Sequence, residues 1–426
     1  MTSTLIKFPR LNAPKLHQLP NGLTIVAEQM PIDAVNLSLW INVGSAVESD
    51  TINGMAHFLE HMIFKGTKRL ASGEFERRIE ERGAVTNAAT SQDYTHYYIT
   101  TAPKDFAELA PLQMDVVFNP SIEDDAFERE RLVVLEEIRR SEDNPQRRTF
   151  RRAMEMAFER LPYRRPVLGP ESVISQLKPQ QMRDFHGSLY QPPSITAVAV
   201  GNLPTEELID IVAQGINETI TSKNAQLWVE SVIHPEPAFT EVVRQEFVDE
   251  SLQQARLVIV WRVPGLKYIE ETYALDVLAG ILGHGRTSRL VHDLREERNL
   301  VSSIAVSNMS NQLQGTFYIS AKCPVENVAA VEEAIAQHIR MLQTELVKSS
   351  EIARVRRRVA NRFIFGNETP SDRAGLYGYY QSMLGDLEPA FNYPANIQAQ
   401  EASDLMQAAQ KYLSPDAYGV VVIKPE

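Results

Sequence analysis

At 426 residues and 43% hydrophobic content, the chain is too long for one ordinary core and has enough apolar side chains to fill two or more. Its net charge of −12 argues against a nucleic-acid partner, and its single cysteine, Cys323, excludes an intramolecular disulfide and a cysteine-rich metal site. No apolar run approaches the roughly 20 residues of a membrane span, and residues 1–30 lack the continuous apolar core of a signal peptide; a cytoplasmic protein with no membrane partner is expected.

In chain order, short strand-like runs alternate with longer helical ones. β-branched, aromatic and alternating character marks "NGLTIVAEQM" and "VNLSLWINVGS" as strands, followed by "GAVTNAATSQDYTHYYITTA" and "SITAVAVGNL". Helices are predicted through "GMAHFLEHMIFKGT", from about Gly73 to Arg82, from Phe106 to Phe118 and from about Asp124 to Glu142. The class is α+β.

The second half repeats the first at an offset close to 220 residues: Glu81-Arg82 maps onto Glu297-Arg298 and Pro103 onto Pro324. A repeat of this length means a duplicated domain, since solenoid units are far shorter. The expected division is 1–222, a polar linker 223–237 and 238–426, and two like halves facing each other would enclose a chamber.

At about 100° per residue, His57, Glu60 and His61 share one face of their helix, while Phe58, Leu59, Met62 and Ile63 cover the other. Buried imidazoles need partners, and histidines at i and i+4 can both turn a nitrogen to one zinc ion. Glu60 then sits beside the metal, free to take a proton from water. The alternative is a pair of core histidines satisfied by hydrogen bonds, with Glu60 on the surface. In "DDAFERERLVVLEEIRRSEDNP", Glu130 and Glu137 lie two turns apart along the edge that also carries Phe127, Val134 and Ile138. Carboxylates on a core-facing edge suit a divalent cation, although Glu137 could equally pair with Arg139 or Arg140. Glu128 and Glu136 read as solvated.

Together, "HFLEHMIFKGT", "GAVTNAATSQDYTHYY", "ERERLVVLEEI" and "PYRRPVLG" resemble the pitrilysin, insulysin and mitochondrial processing peptidase family of zinc peptidases, over nearly the whole chain. The offset of 76 positions from His61 to Glu137 matches the processing-peptidase branch. The resemblance implies two homologous domains, each a mainly antiparallel sheet packed with helices. It implies one Zn2+ per chain on His57, His61 and Glu137, with Glu60 as general base and Glu130 as a supporting acid. Asn87 and Ala88 would belong to the strand edge that binds peptide substrates by β-augmentation. Hydrolysis of extended or unfolded peptides is the implied activity; an idle structural subunit and a peptide-binding module are the alternatives.

One position departs from the family. Its self-sufficient members carry an arginine and a tyrosine seven residues apart after a glycine-rich loop in the second half, where they contact substrate and stabilise the oxyanion. Here Gly283, Gly285 and Arg295 are kept, but Ser302 replaces the tyrosine. A dimer is expected, either a homodimer that tolerates the loss or a heterodimer with a homologous metal-free subunit supplying that donor. The pairs Arg147-Arg148, Arg151-Arg152 and Arg164-Arg165 read as solvated faces, His96 and its tyrosine neighbours Tyr94, Tyr97 and Tyr98 as sheet packing, and Cys323 as a packed strand-end thiol.

Overall fold

The computed structural model describes residues 14–220 and 234–426, which form two compact units. The first unit, residues 14–139, 165–220 and 363–391, is built on a six-stranded sheet. Its strands are β1 (Lys15–Gln18), β2 (Thr24–Gln29), β3 (Val35–Ile41), β4 (Val85–Thr90), β5 (Thr95–Thr101) and β6 (Ile195–Gly201), in the order β1-β2-β6-β3-β5-β4. Only β2 and β6 run parallel; every other pair is antiparallel. The central strands β3 and β6 are buried along their full length, whereas β4, at the sheet's edge, is not.

One face of this sheet is covered by helices α1 (Met55–Ile63), α2 (Glu74–Glu81), α3 (Pro103–Phe118) and α4 (Asp124–Asp143), whose apolar residues share a core with Leu37, Leu39 and Ile41. The opposite face is covered by the helix Pro370–Leu384, whose Ala374 and Tyr377 pack, with Leu387 just beyond the helix, against Val26, Trp40, Val198 and Val200. Two buried polar bonds hold that helix to β2: Glu28 accepts from Arg373 Nη1 and from the Tyr377 hydroxyl, both at 2.6 Å.

The second unit, residues 140–164, 234–362 and 392–426, repeats the plan with β7 (Val243–Val248), β8 (Ala255–Pro264), β9 (Ser303–Met309), β10 (Gln314–Cys323) and β11 (Gly419–Lys424). The order β7-β11-β8-β10-β9, with β7 and β11 as its parallel pair, reproduces β2-β6-β3-β5-β4. This is the duplicated α+β architecture that the sequence repeat implies. Helix α5 (Pro145–Ala157) packs on β8 and β11.

The two units are therefore not the continuous stretches 1–222 and 238–426. Residues 140–164 belong with the later strands and 363–391 with the earlier ones. Central strands that are apolar on both faces require cover on both, and these exchanged segments provide it. Of the expected linker, 223–233 lies outside the described residues. Its end is tied down: the buried Glu236 carboxylate accepts the backbone N–H groups of Glu159, Arg160 and Leu161 at 2.8–3.0 Å.

Arg147 is exposed, but Arg148, Arg151, Arg152 and Arg165 are less solvated than their sequence suggests. Arg148 and Arg151 pair with Asp249 and Glu142, Arg152 lies 4.7 Å over the Phe247 ring, and Arg165 reaches the Glu48 carbonyl at 2.5 Å. Long side chains with apolar stems cover neighbouring surface while keeping the charge paired. Cys323 is buried at the end of β10, where burial pushes its thiol up to about 11. His96 stacks on Trp40 at 4.5 Å between ring centroids.

Candidate metal centre

The site starts from an unusual helix N-terminus. Gly54 precedes α1 with φ 96° and has no side chain to cap it. Any Cβ there would also lie 2.6 Å from the Leu168 carbonyl oxygen, so glycine is required on both counts. The cap comes instead from Glu48, whose buried carboxylate accepts from the Gly54 and Ala56 N–H groups at 2.8 and 2.7 Å and from Asn53 Nδ2 at 2.9 Å. These bonds satisfy donors that would otherwise be orphaned inside the protein.

Burial pushes the Glu48 carboxyl up to about 7, against the pull of those donors and of Arg165. The folded protein then holds this proton more tightly than the unfolded chain, whose value is near 4.5. The associated stability is complete below pH 4.5 and is lost as pH rises to about 7. In urea unfolding, wild-type protein should lose on the order of 3 kcal/mol across that window relative to Glu48→Gln. Parallel pH profiles for the two proteins would contradict this assignment.

One turn into α1, His57 is buried and His61 half-buried, while Phe58, Leu59, Met62 and Ile63 enter the core. Helix α4 crosses beside them. Glu137 Oε2 lies 3.5 Å from His57 Nε2 and 3.5 Å from His61 Nε2. One ligand atom from each of the three residues falls within 4.8 Å of the others. Ligands about 2.0–2.1 Å from a tetrahedral zinc ion stand about 3.4 Å apart, and two imidazoles with one carboxylate are donors that zinc accepts. The residues present fit that ion.

Glu130, which is 9% exposed, occupies the other side of His61. Its Oε1 lies 2.9 Å from His61 Nδ1 and its Oε2 2.8 Å from Lys65 Nζ. A carboxylate on Nδ1 orients the imidazole and leaves Nε2 to face a metal. His57 Nδ1 is buried without a hydrogen-bond partner among the described residues.

Charge follows from these contacts. Burial, then the field of His61, lowers the His57 imidazole to about 4, so it is neutral and its lone pair is available. Burial also lowers His61, but hydrogen bonds to Glu130 and Glu137 outweigh it and raise the ring to about 9. Two carboxylates thus hold a proton where a divalent cation would replace it. Glu60 points to neither carboxylate; its Oε2 accepts from the Thr90 hydroxyl at 2.5 Å, and burial raises its carboxyl.

Family models match most of the chain: "Insulinase (Peptidase family M16)" over residues 24–171 and "Peptidase M16 inactive domain" over 176–359. The chain belongs to the insulinase family of peptidases. An uncharacterised zinc protease of Mycobacterium tuberculosis is 27% identical to this insulinase-family chain, covering 97% of it and 93% of the relative. Zinc protease PqqE of Helicobacter pylori is 26% identical over 96% and 92%. A crystal structure of a protease from Helicobacter pylori superposes with a TM-score of 0.91 at 26% identity, covering 97% of this chain and all of that one. At 19% identity, a peptidase M16 inactive domain structure from Pseudomonas fluorescens shares the fold with a TM-score of 0.85 and covers 98% of each chain.

The remaining sequence-derived residues fall outside the metal cluster. Asn87 and Ala88 lie on the edge strand β4, with Ala88 turned towards the core and Asn87 exposed. In the second unit, Arg295 sits in a π-helical turn, Val291–Glu297, and its Nη2 pairs with Glu296 at 2.6 Å. The Ser302 hydroxyl is 2.8 Å from Gln254 Oε1 and 3.1 Å from the Lys322 carbonyl. Sequence reasoning missed Glu48, Lys65 and Thr90. Lys65 was legible as i+4 from His61 on the same stripe, and Glu48 as an acid shortly before a helix with no side-chain cap. Thr90 carried no signal, because threonine is ordinary in a strand.

Proposed function

We propose that the chain is a zinc endopeptidase acting on extended peptides. The convergence of His57 Nε2, His61 Nε2 and Glu137 Oε2, with the Glu60 carboxylate on the next position of the same helix, carries this reading. Bound zinc would supply Lewis acidity for water and for a peptide carbonyl. Glu60 would take the proton from the attacking water and return it to the leaving amine. Glu130, braced by Lys65, would hold His61 in the orientation needed for binding. Among the described residues strand β4 has a partner only on its β5 side, and its other edge would take a peptide through main-chain hydrogen bonds around Asn87 and Ala88.

Ser302 favours a second component of the proposal, a shared active site. Its hydroxyl already faces Gln254 and the Lys322 carbonyl, and a serine is shorter than the phenol expected there. Losing one oxyanion donor typically costs about 100- to 1,000-fold in rate. The purified chain, loaded with zinc, should therefore cleave a fluorogenic peptide slowly, and a homologous metal-free subunit bearing the tyrosine should raise turnover by that factor. Zinc binding without any cleavage, alone or with such a partner, would sink the peptidase reading. Full turnover by the chain alone, unchanged by the partner or by Ser302→Tyr, would reject the shared site and leave Arg295 to suffice.

A further inference from the structure

We infer that Thr90 is the positioning residue for the general base: it fixes the Glu60 carboxylate and leaves one oxygen, Oε1, for the attacking water. The inference rests on the peptidase reading of the site, and extends it to a residue on the strand proposed to bind substrate.

A glutamate on a helix facing a cavity has three rotatable bonds, and its carboxylate can present either oxygen in many directions. A base works only when it lies within hydrogen-bond reach of the proton it takes. Something must therefore hold Glu60. Thr90 Oγ1 lies 2.5 Å from Glu60 Oε2, a short charge-assisted bond. The Thr90 backbone N–H also favours the Glu60 carboxylate. Among the described residues Thr90 supplies these bonds to Glu60, and Oε1 is the oxygen that its hydroxyl does not take.

Thr90 is itself held. It is the last residue of β4, directly opposite Thr95 on β5. Thr95 is fully buried; its hydroxyl lies 2.8 Å from the Val43 carbonyl and 3.4 Å from Thr90 Oγ1. A hydroxyl has one proton. The Thr95 proton goes to the nearer and better acceptor, the Val43 carbonyl, and the Thr90 proton to Glu60. As a β-branched residue in a strand, Thr90 has few rotamers to exchange among. The series Val43, Thr95, Thr90 and Glu60 thus runs from the sheet interior to the base.

Position along β4 gives this contact its meaning. Thr86, Ala88 and Thr90 turn to the side of the sheet that carries α1, while Val85, Asn87 and Ala89 turn away. A peptide paired to the outer edge around Asn87 and Ala88 would run out of edge at Thr90, where the strand ends. The same residue would therefore mark the end of substrate pairing and orient the base at that end. A shift in Thr90 would displace Glu60 from the water without weakening peptide binding further along the strand.

The zinc-loaded full chain, together with its partner if one is required for turnover, is compared with Thr90→Val and Thr90→Ser. Three readouts are taken: zinc per chain, KM and kcat for a fluorogenic peptide. Thr90→Val keeps the branched shape and removes the donor. It should retain zinc and KM within about twofold while kcat falls by about 10- to 100-fold, and Thr90→Ser should restore most of that loss. If Thr90 only stabilised the fold, Thr90→Val would lower zinc content or the urea midpoint and leave kcat per bound zinc unchanged; that result overturns the inference. Equal losses in the Val and Ser variants would overturn it as well. Absence of cleavage by the zinc-loaded wild type would instead count against the peptidase reading, which keeps the two failures distinct.

Discussion

Glu60→Gln should keep about one zinc per chain while peptide hydrolysis falls by about 100-fold or more. The amide has the size of the carboxylate and can still accept from Thr90, so the shape of the site is preserved. Metal binding should be preserved too, because the three converging ligand atoms belong to His57, His61 and Glu137 and not to Glu60. What disappears is a group able to take a proton, for an amide oxygen is a poor base. Zinc content by atomic emission and turnover of a fluorogenic peptide on the same preparation decide the matter. A variant with native turnover removes Glu60 from the mechanism, and one that loses its zinc assigns Glu60 to the ligand set.

Glu137→Gln should act in the opposite way, through the metal itself. With the carboxylate gone, two imidazoles remain, and the ion loses both a ligand and the only negative charge in its coordination sphere. Zinc affinity should drop by at least the roughly 10- to 100-fold that follows loss of a mere supporting group around such a site. Competition with a chromogenic chelator measures this without reference to activity. Glu136→Gln is the control, since Glu136 is exposed on the next position of α4. Loss of zinc from the Glu136 variant with none from the Glu137 variant would place the wrong side of α4 at the metal.

Much of the site was legible because it is local. Two histidines four apart on a helix must share a face whatever the rest of the chain does, since 3.6 residues make a turn. The same arithmetic put Glu130 and Glu137 on one edge of α4. Both inferences needed only the helix, and apolar neighbours such as Phe58 and Val134 made the helix itself easy to read. The strands were legible for a similar reason: in "SITAVAVGNL" the stretch from Ala197 to Gly201 shows no polar alternation because β6 is buried on both faces. The duplication showed in the spacing of its motifs, and the matching strand orders of the two sheets follow from it.

Tertiary structure decided what depends on residues distant along the chain. Sequence left Glu137 balanced between a metal and a nearby arginine; only the crossing of α1 and α4 brings its Oε2 to 3.5 Å from both imidazoles and gives Glu130 to His61 Nδ1. Thr90 was invisible because threonine is ordinary in a strand, and Glu48 showed only as an acid ahead of a helix; the role of each arises from an edge strand and a preceding loop folding against α1. The exchange of residues 140–164 and 363–391 was equally hidden. An amphipathic helix shows that it has a face to bury, but periodicity carries no record of which sheet receives that face. That choice is made by the two-sided burial of the central strands, a property of the assembled sheet.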